Sequence, residues 1–135
     1  MNGYTVLYDP EGRIDAKLPL DRVTHERVAR AVLAWSDPMA LQPDDYEQVG
    51  LLLAGAAHAV AADVREYAGM LPGGDGRRLF AEIVLGEADG RLPQPSRNLH
   101  GVQNKARLLR ALYERLDRLQ DAVPAVAATT AGVSP

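Results

Sequence analysis

The amino-acid sequence predicts an all-α protein, an antiparallel four-helix bundle that follows a short β-hairpin-like segment and precedes a disordered C-terminal tail. Of the 135 residues 47% are apolar but only 5% are aromatic, so the core must consist mainly of Leu, Val and Ala. Such a core suits packed helices better than a β-sandwich, which draws on β-branched and aromatic residues. Apolar residues also recur at helical spacing in four segments, and the short connections between the segments favour antiparallel neighbours.

Residues 1–20 differ from the rest of the chain and are interpreted as an N-terminal arm. Residues 4–8 are β-prone, and the Asp-Pro-Glu-Gly sequence at 9–12 is typical of a tight turn, so residues 13–18 can return as a second strand. An isolated hairpin is marginally stable in water. The sequence therefore leaves three alternatives open: the arm packs on the bundle, pairs with a partner or stays loose.

The first predicted helix begins near Asp21 and ends before Pro38, because the residue before a proline is pushed out of the helical conformation. The second begins at Pro43, where Asp44 and Glu47 resemble a capping box, and the Pro- and Gly-rich residues 72–76 end it. The apolar face of the first helix consists of Val28, Ala31, Val32 and Trp35. The stripe of the second consists of Tyr46, Val49, Leu53, Ala57, Val60, Val64, Tyr67 and Leu71.

The third predicted helix spans residues 77–88, and the fourth runs from an N-cap at Ser96 to about Ala122. Residues 123–135 are rich in Ala, Thr, Gly, Ser and Pro, which indicates a disordered tail and leaves residues 21–122 as the bundle domain. The apolar face of the third helix consists of Leu79, Phe80, Ile83 and Val84. The seam of the fourth consists of Leu99, Val102, Ala106, Leu109, Tyr113 and Leu116, widened by Leu108, Leu112 and Leu119.

Composition excludes several classes of function. The net charge of −3 provides no excess of positive charge for phosphates, so we expect no nucleic-acid partner. The absence of cysteine excludes disulfides, thiolate catalysis and Cys-based zinc sites. The N-terminus lacks the pattern of a secretory signal, and the longest uncharged stretch, residues 48–62, is too short and too rich in Ala and Gly for a membrane span, so we expect a cytoplasmic protein.

Chemical motifs are likewise missing from the pattern. His25, His58 and His100 lie on three different predicted helices without a Glu-x-x-His spacing, so we expect neither a metal nor another cofactor. Glu82 and Glu87 flank the third helix and are interpreted as surface charges rather than as an acid–base pair. No catalytic residue is predicted, and whether the chain is an enzyme is left open, with the balance against it.

His58 marks the candidate site. It lies opposite the main stripe of the second helix, on a face of small or apolar residues, so this helix is apolar on nearly all sides and should be buried all round. Either another chain or the N-terminal arm covers this second face, or the face is an open groove. His58 is then an inert, hydrogen-bonded residue at the edge of the core or of a dimer interface, or a group that orients a ligand or senses pH. The other residues of the face are Leu51, Ala54, Gly55, Ala62 and Gly69. Tyr46, Tyr67 and Tyr113 are core residues or, in the alternative, line a pocket.

The chain resembles a family of small actinobacterial proteins, the domain-of-unknown-function family 6415, described as "natural product biosynthesis protein". The resemblance covers residues 18–122: the opening Leu-Pro-Leu-Asp-Arg at 18–22 that leads into 28–33, the long Leu- and Ala-rich second helix, and the closing segment 106–113. It implies an association with biosynthetic gene neighbourhoods and assigns no functional residue.

These observations give a leading hypothesis and two alternatives. The leading hypothesis is a non-catalytic interaction protein that forms a homodimer or docks on a larger protein through the face around His58. The first alternative is a small-molecule-binding bundle, an enzyme included, with its pocket between helices. The second is a regulator that acts through protein contacts without binding DNA.

Overall fold

The computed structural model describes residues 21–133, with side chains described for residues 21–123. All regular structure in this part of the chain is helical, as the composition predicts, and the hairpin expected in residues 1–20 lies outside it. No helix of the described part is long and apolar enough to span a bilayer. The four helices are α1 (Arg22–Ala34), α2 (Pro43–Gly69), α3 (Gly76–Arg91) and α4 (Leu99–Val133).

Polar residues just before α1, α2 and α3 stop the chain from fraying there. The Asp21 carboxylate accepts the N–H of Thr24 at the start of α1, and Asp75 caps α3. At α2 the backbone N–H of Gln42 donates to the Asp45 carboxylate over 3.3 Å. The predicted capping box between Asp44 and Glu47 is wrong. Both carboxylates instead accept hydrogen bonds from Arg97, which lies just before α4.

The start and the end of α4 both differ from the prediction. Asn98, not Ser96, caps the helix, since its side-chain oxygen accepts the N–H of Gly101 over 2.8 Å. The helix then passes Ala122 and Pro124 and continues to Val133, where the sequence predicted a disordered tail. A proline within a helix costs about 3 kcal/mol. Alanine, the best helix former, is frequent after it, which favours continuation of the helix.

The bundle is organised around α4. This helix packs most extensively on α2, while α1 lies along α4, and α3 packs against both α2 and α4. Arg22 at the start of α1 binds Asp117 far along α4, whereas the Gln103 amide near the start of α4 donates to the Val32 carbonyl at the end of α1. Helices α1 and α4 are therefore antiparallel.

Helices α2 and α4 run in the same direction. Arg97, two residues before α4, donates to Asp44 over 2.9 Å and to Glu47 over 2.6 Å, both in the first turns of α2. Gly50, one turn further along α2, lies against Ser96. Because the two helices begin side by side and pack along their length, the centre of the bundle is a parallel pair with α1 and α3 on its flanks.

The core confirms the predicted faces of α2 and α4 and corrects those of the shorter helices. Every residue of the predicted α4 seam is buried, and the α2 stripe is buried except for half-buried Val49 and Tyr67. In α1 the structure buries Ala29 and Val32 and leaves Trp35 exposed, so the predicted face is turned by part of a helical turn.

Helix α3 buries a different side from the predicted one. Ala81, Leu85 and Ala88 face the core. Of the predicted residues, Val84 is half-buried against the core, whereas Leu79, Phe80 and Ile83 are exposed. Two features explain this orientation. The Arg78 guanidinium donates to the Leu71 carbonyl over 2.8 Å. This hydrogen bond turns Arg78 toward the bundle, together with Ala81 and Leu85 on the same side of the helix. The middle of α2 is mostly Ala and Gly, and small residues on both helices allow a close approach.

Candidate functional site

The face around His58 is largely closed in the structure. Ala54 is 3% exposed and Gly55 is buried, while His58 and Ala62 are half-buried. His58 is engaged with other groups of the chain. Of the three alternatives for this face, an open groove does not fit its centre. Leu51 and Gly69 at its ends are exposed.

The three tyrosines named as candidates contribute to the core at separate places. Tyr46 is 2% exposed, and its hydroxyl donates to the carbonyls of residues 37 and 38 at the α1–α2 connection. Tyr113 is 1% exposed, and its hydroxyl shares a hydrogen bond of 2.6 Å with the Nδ1 atom of His25 on α1. Tyr67 is half-buried against the core. The structure does not bring Tyr46 and Tyr113 together at one pocket.

The acidic residues that were weighed as catalytic groups are engaged at the surface. Glu82 binds Arg78 over 3.0 Å and Glu87 lies 3.5 Å from Arg91, each pair one helical turn apart on α3. Exposed pairs of this kind contribute little to stability. Within residues 21–123 no three His, Asp or Glu side chains lie together as the ligands of a metal would.

An arginine clamp fixes α1 on α4. The Arg22 guanidinium donates through both terminal nitrogens to the Asp117 carboxylate and lies 4.8 Å from the centre of the Tyr113 ring. It also binds Glu26 over 3.0 Å. The hydrogen bonds from Arg22 lower the pKa of Asp117, and those to Asp117 and Glu26 raise the pKa of Arg22. The clamp positions α1, and the lowered pKa of Asp117 is the reverse of what a general acid needs.

The exposed side of α3 carries an apolar patch that the sequence pattern assigned to the core. Leu79, Phe80 and Ile83 are 48%, 60% and 63% exposed, although they lie within two helical turns of one another. Gly86 and Gly90 continue the same side toward the end of the helix, and a Cβ atom placed on either would meet nothing within 4 Å. These five residues are called the outer face of α3.

Charges border the outer face in a polar arrangement. Arg77 and Arg78 lie at the start of α3, and Glu87 and Asp89 lie near its end. Beside the face, the Arg115 guanidinium of α4 lies 5.4 Å from the centre of the Phe80 ring. Arg77 binds Asp75 over 2.6 Å, and Asp89 binds Arg65 over 3.0 Å. The helix therefore presents an apolar strip whose bordering charges are paired within the chain.

The outer face has a recognisable spacing in the sequence, which the prediction of one apolar face for α3 did not separate from the core. Gly76, Leu79, Ile83, Gly86 and Gly90 follow one another at spacings of three and four, the period of a helix–helix seam. The larger residues of that seam were assigned to the core because they are the most hydrophobic in the segment.

Comparisons with protein-family models, with curated proteins and with solved structures give no match.

Proposed function

We propose that this protein is a non-catalytic helical interaction protein that pairs with a second copy of itself through the outer face of α3. The observation that carries the proposal is the exposure of Leu79 and Ile83, one turn apart on a helix whose opposite side is already buried. A cluster of exposed apolar side chains on a folded domain marks an interaction site more often than isolated ones do.

The spacing of the outer face favours another helix as its occupant. Alternating intervals of three and four residues keep one line of side chains facing a neighbouring helix along its length. Gly86 and Gly90 have open space above them. They would let the backbone of the neighbour come close, and the side chain of a residue such as Phe80 could fill that space.

The order of large and small residues favours a second copy over an unrelated helix. A two-fold axis through Ile83 would place each residue before it opposite the residue equally far after it. Phe80 would then lie over Gly86 of the other copy, and Arg77 would lie beside Asp89. Arg77 and Asp89 are already paired with Asp75 and Arg65 in their own chain, so the antiparallel orientation rests on the fit of Phe80 over Gly86.

The size of the face predicts a weak dimer. Sixteen residues make a helix about 24 Å long, and one face of it is about 10 Å wide. The area of this face is therefore smaller than the area of about 800 Å² per partner that a standard stable interface buries. We therefore expect reversible association in the micromolar range, so the oligomeric state should depend on protein concentration.

Sedimentation velocity across a concentration series from about 1 µM to about 1 mM tests the proposal. Ile83→Glu and Leu79→Glu should hold the protein monomeric throughout, because each places a charge in the apolar seam. Val23→Glu is the matched control: Val23 is 68% exposed on α1, and the substitution changes the net charge by the same amount. It should associate like the wild type.

A further variant separates this face from the one predicted around His58. Leu51 is 39% exposed at the edge of that face. If Leu51→Glu abolishes association and Ile83→Glu does not, the outer face of α3 is the wrong interface. A wild type that stays monomeric at every concentration would also overturn self-pairing, and a larger protein partner would then be the remaining reading of this surface.

The resemblance to the family of natural product biosynthesis proteins suggests that the dimer works beside biosynthetic enzymes. Co-purification of an enzyme encoded next to it with the wild type, and not with Ile83→Glu, would support that setting. Co-purification with both variants equally would place the docking surface elsewhere.

A further inference from the structure

A polar cavity lies where the end of α3, the α3–α4 connection and the start of α4 meet. Its volume is about 390 Å³, which is within the range of small-molecule sites. Two cationic side chains line it, Arg91 and Lys105, together with the hydroxyl of Ser96 and the amide of Asn104. Among residues 21–123, no acidic side chain lines it.

Lys105 is the central group of this cavity. It is only 6% exposed, and its ammonium group donates to the backbone carbonyl of Gln94 over 2.7 Å. Burial lowers the pKa of Lys105, and Glu47 opposes that effect. The Glu47 carboxylate is itself held by Arg97 over 2.6 Å. A lysine has three N–H donors, so a single carbonyl leaves donor capacity for a further acceptor.

Ser96 is fixed beside Lys105 by two glycines. It is 4% exposed. A Cβ atom on Gly50 would lie 2.9 Å from the Cβ of Ser96, and one on Gly101 would lie 3.3 Å from it. The Asn98 side-chain oxygen accepts the N–H of Gly101, so Asn98 and not Ser96 caps α4. Within the described part of the chain, its hydroxyl has no side-chain hydrogen bond, so it remains available to a ligand.

The balance of charge indicates what the cavity would accept. In the groove between α1 and α4, the cations Arg22, Arg107 and Arg110 lie among Glu26, Glu114 and Asp117. In the α3–α4 cavity no acidic side chain of the described residues lies in the wall beside the two cations. Arg91 lies 3.5 Å from the exposed Glu87. The apolar Pro95 and Leu108 form the remaining wall.

We propose that this cavity binds a small organic acid, whose carboxylate lies against Lys105, Ser96 and Arg91 while its apolar body rests on Pro95 and Leu108. The proposal is independent of the outer face of α3, which carries the pairing of two copies. Binding would complete the hydrogen bonding of a buried cation that the chain alone satisfies only in part.

Lysine NMR gives a direct test, because the chain contains only Lys17 and Lys105. In a Lys17→Arg variant labelled with ¹³C-lysine, the single side-chain signal reports protonation of Lys105. Benzoate is the probe, and inorganic phosphate is the comparison. We expect benzoate to bind saturably and to move the titration midpoint of Lys105 upward, because a bound anion favours the charged amine.

Variants show whether the named groups carry the binding. Arg91→Gln should weaken benzoate about tenfold, since it removes a charge-assisted hydrogen bond, and Ser96→Ala should weaken it less. Arg110→Gln is the matched control, because Arg110 is an exposed cation on the same helix as Lys105 and lines the other groove. It should leave the affinity unchanged.

Three results would overturn the proposal. Affinity for benzoate that is the same in Arg91→Gln, Ser96→Ala and the wild type would place the anion elsewhere. A Lys105 signal that does not respond to benzoate would do the same, without depending on a substitution that disturbs folding. Phosphate that binds as tightly as benzoate would show an oxyanion site with no role for the apolar wall.

Discussion

Gly50 is in contact with Ser96, so Ser96 should decide whether Gly50→Ala stabilises or destabilises the protein. Gly50→Ala gains about 1 kcal/mol of helix propensity in the interior of α2. The new methyl group would lie 2.9 Å from the Cβ of Ser96, which is too close for two carbon atoms, and Ser96 is buried and short. Overpacking of this kind costs about 1–3 kcal/mol. We expect Gly50→Ala to destabilise the protein, by up to about 2 kcal/mol.

Removing the opposing side chain should reverse the effect. In a Ser96→Gly background the Cβ that causes the clash is absent, so Gly50→Ala should stabilise the protein by up to about 1 kcal/mol. The coupling between the two sites is then about 1–3 kcal/mol and can be measured with a double-mutant cycle of urea unfolding. Gly86→Ala in α3, where a Cβ meets no neighbour, is the control and should be stabilising in dilute protein. An effect of Gly50→Ala with the same sign and size in both backgrounds would refute the packing that defines Ser96.

Three further outcomes test the clamp, the core and the cavity. Asp117→Asn should cost up to about 1 kcal/mol at neutral pH. Because its pKa is lowered by Arg22, that loss should vanish as the pH falls through the lowered pKa, and urea unfolding at pH 7 and in acid checks this. Tyr113→Phe should cost about 0.5–1.5 kcal/mol in urea unfolding, because it leaves His25 without the buried hydroxyl. The lowered pKa of Lys105 means that the unfolded chain binds more protons, so wild-type stability should rise relative to Lys105→Met between the folded pKa and 10.5, and a flat difference in unfolding free energy would contradict it.

The long helices were predictable because their pattern is redundant. Apart from Lys105, the inward positions of the α4 seam from Leu99 to Leu119 are apolar, and no rotation of the helix other than the observed one buries all of them. The position of the caps was not fixed in the same way. Ser96 and Asn98 can both cap a helix, and only the packing of Ser96 between Gly50 and Gly101 decides between them.

The orientation of α3 was not predictable from hydrophobicity alone. Two sides of the helix are apolar, one with larger residues centred on Ile83 and one with Ala81, Leu85 and Ala88. Periodicity favours the larger side, whereas close packing against an Ala- and Gly-rich α2 favours the smaller one. The hydrogen bond from Arg78 to the Leu71 carbonyl then fixes the choice, and that contact exists only once the α2–α3 turn has formed.

The spacing of the sequence places Lys105 on the inward side of α4, although charged residues usually lie on the surface. It lies three residues after Val102 and four before Leu109, so it occupies an inward position of the α4 seam. The chain otherwise uses arginine for its cations, with 13 arginines against two lysines. A lysine at a seam position must either reach solvent along its stem or find a polar partner inside. Lys105 takes the second course, because its ammonium group donates to the Gln94 carbonyl over 2.7 Å.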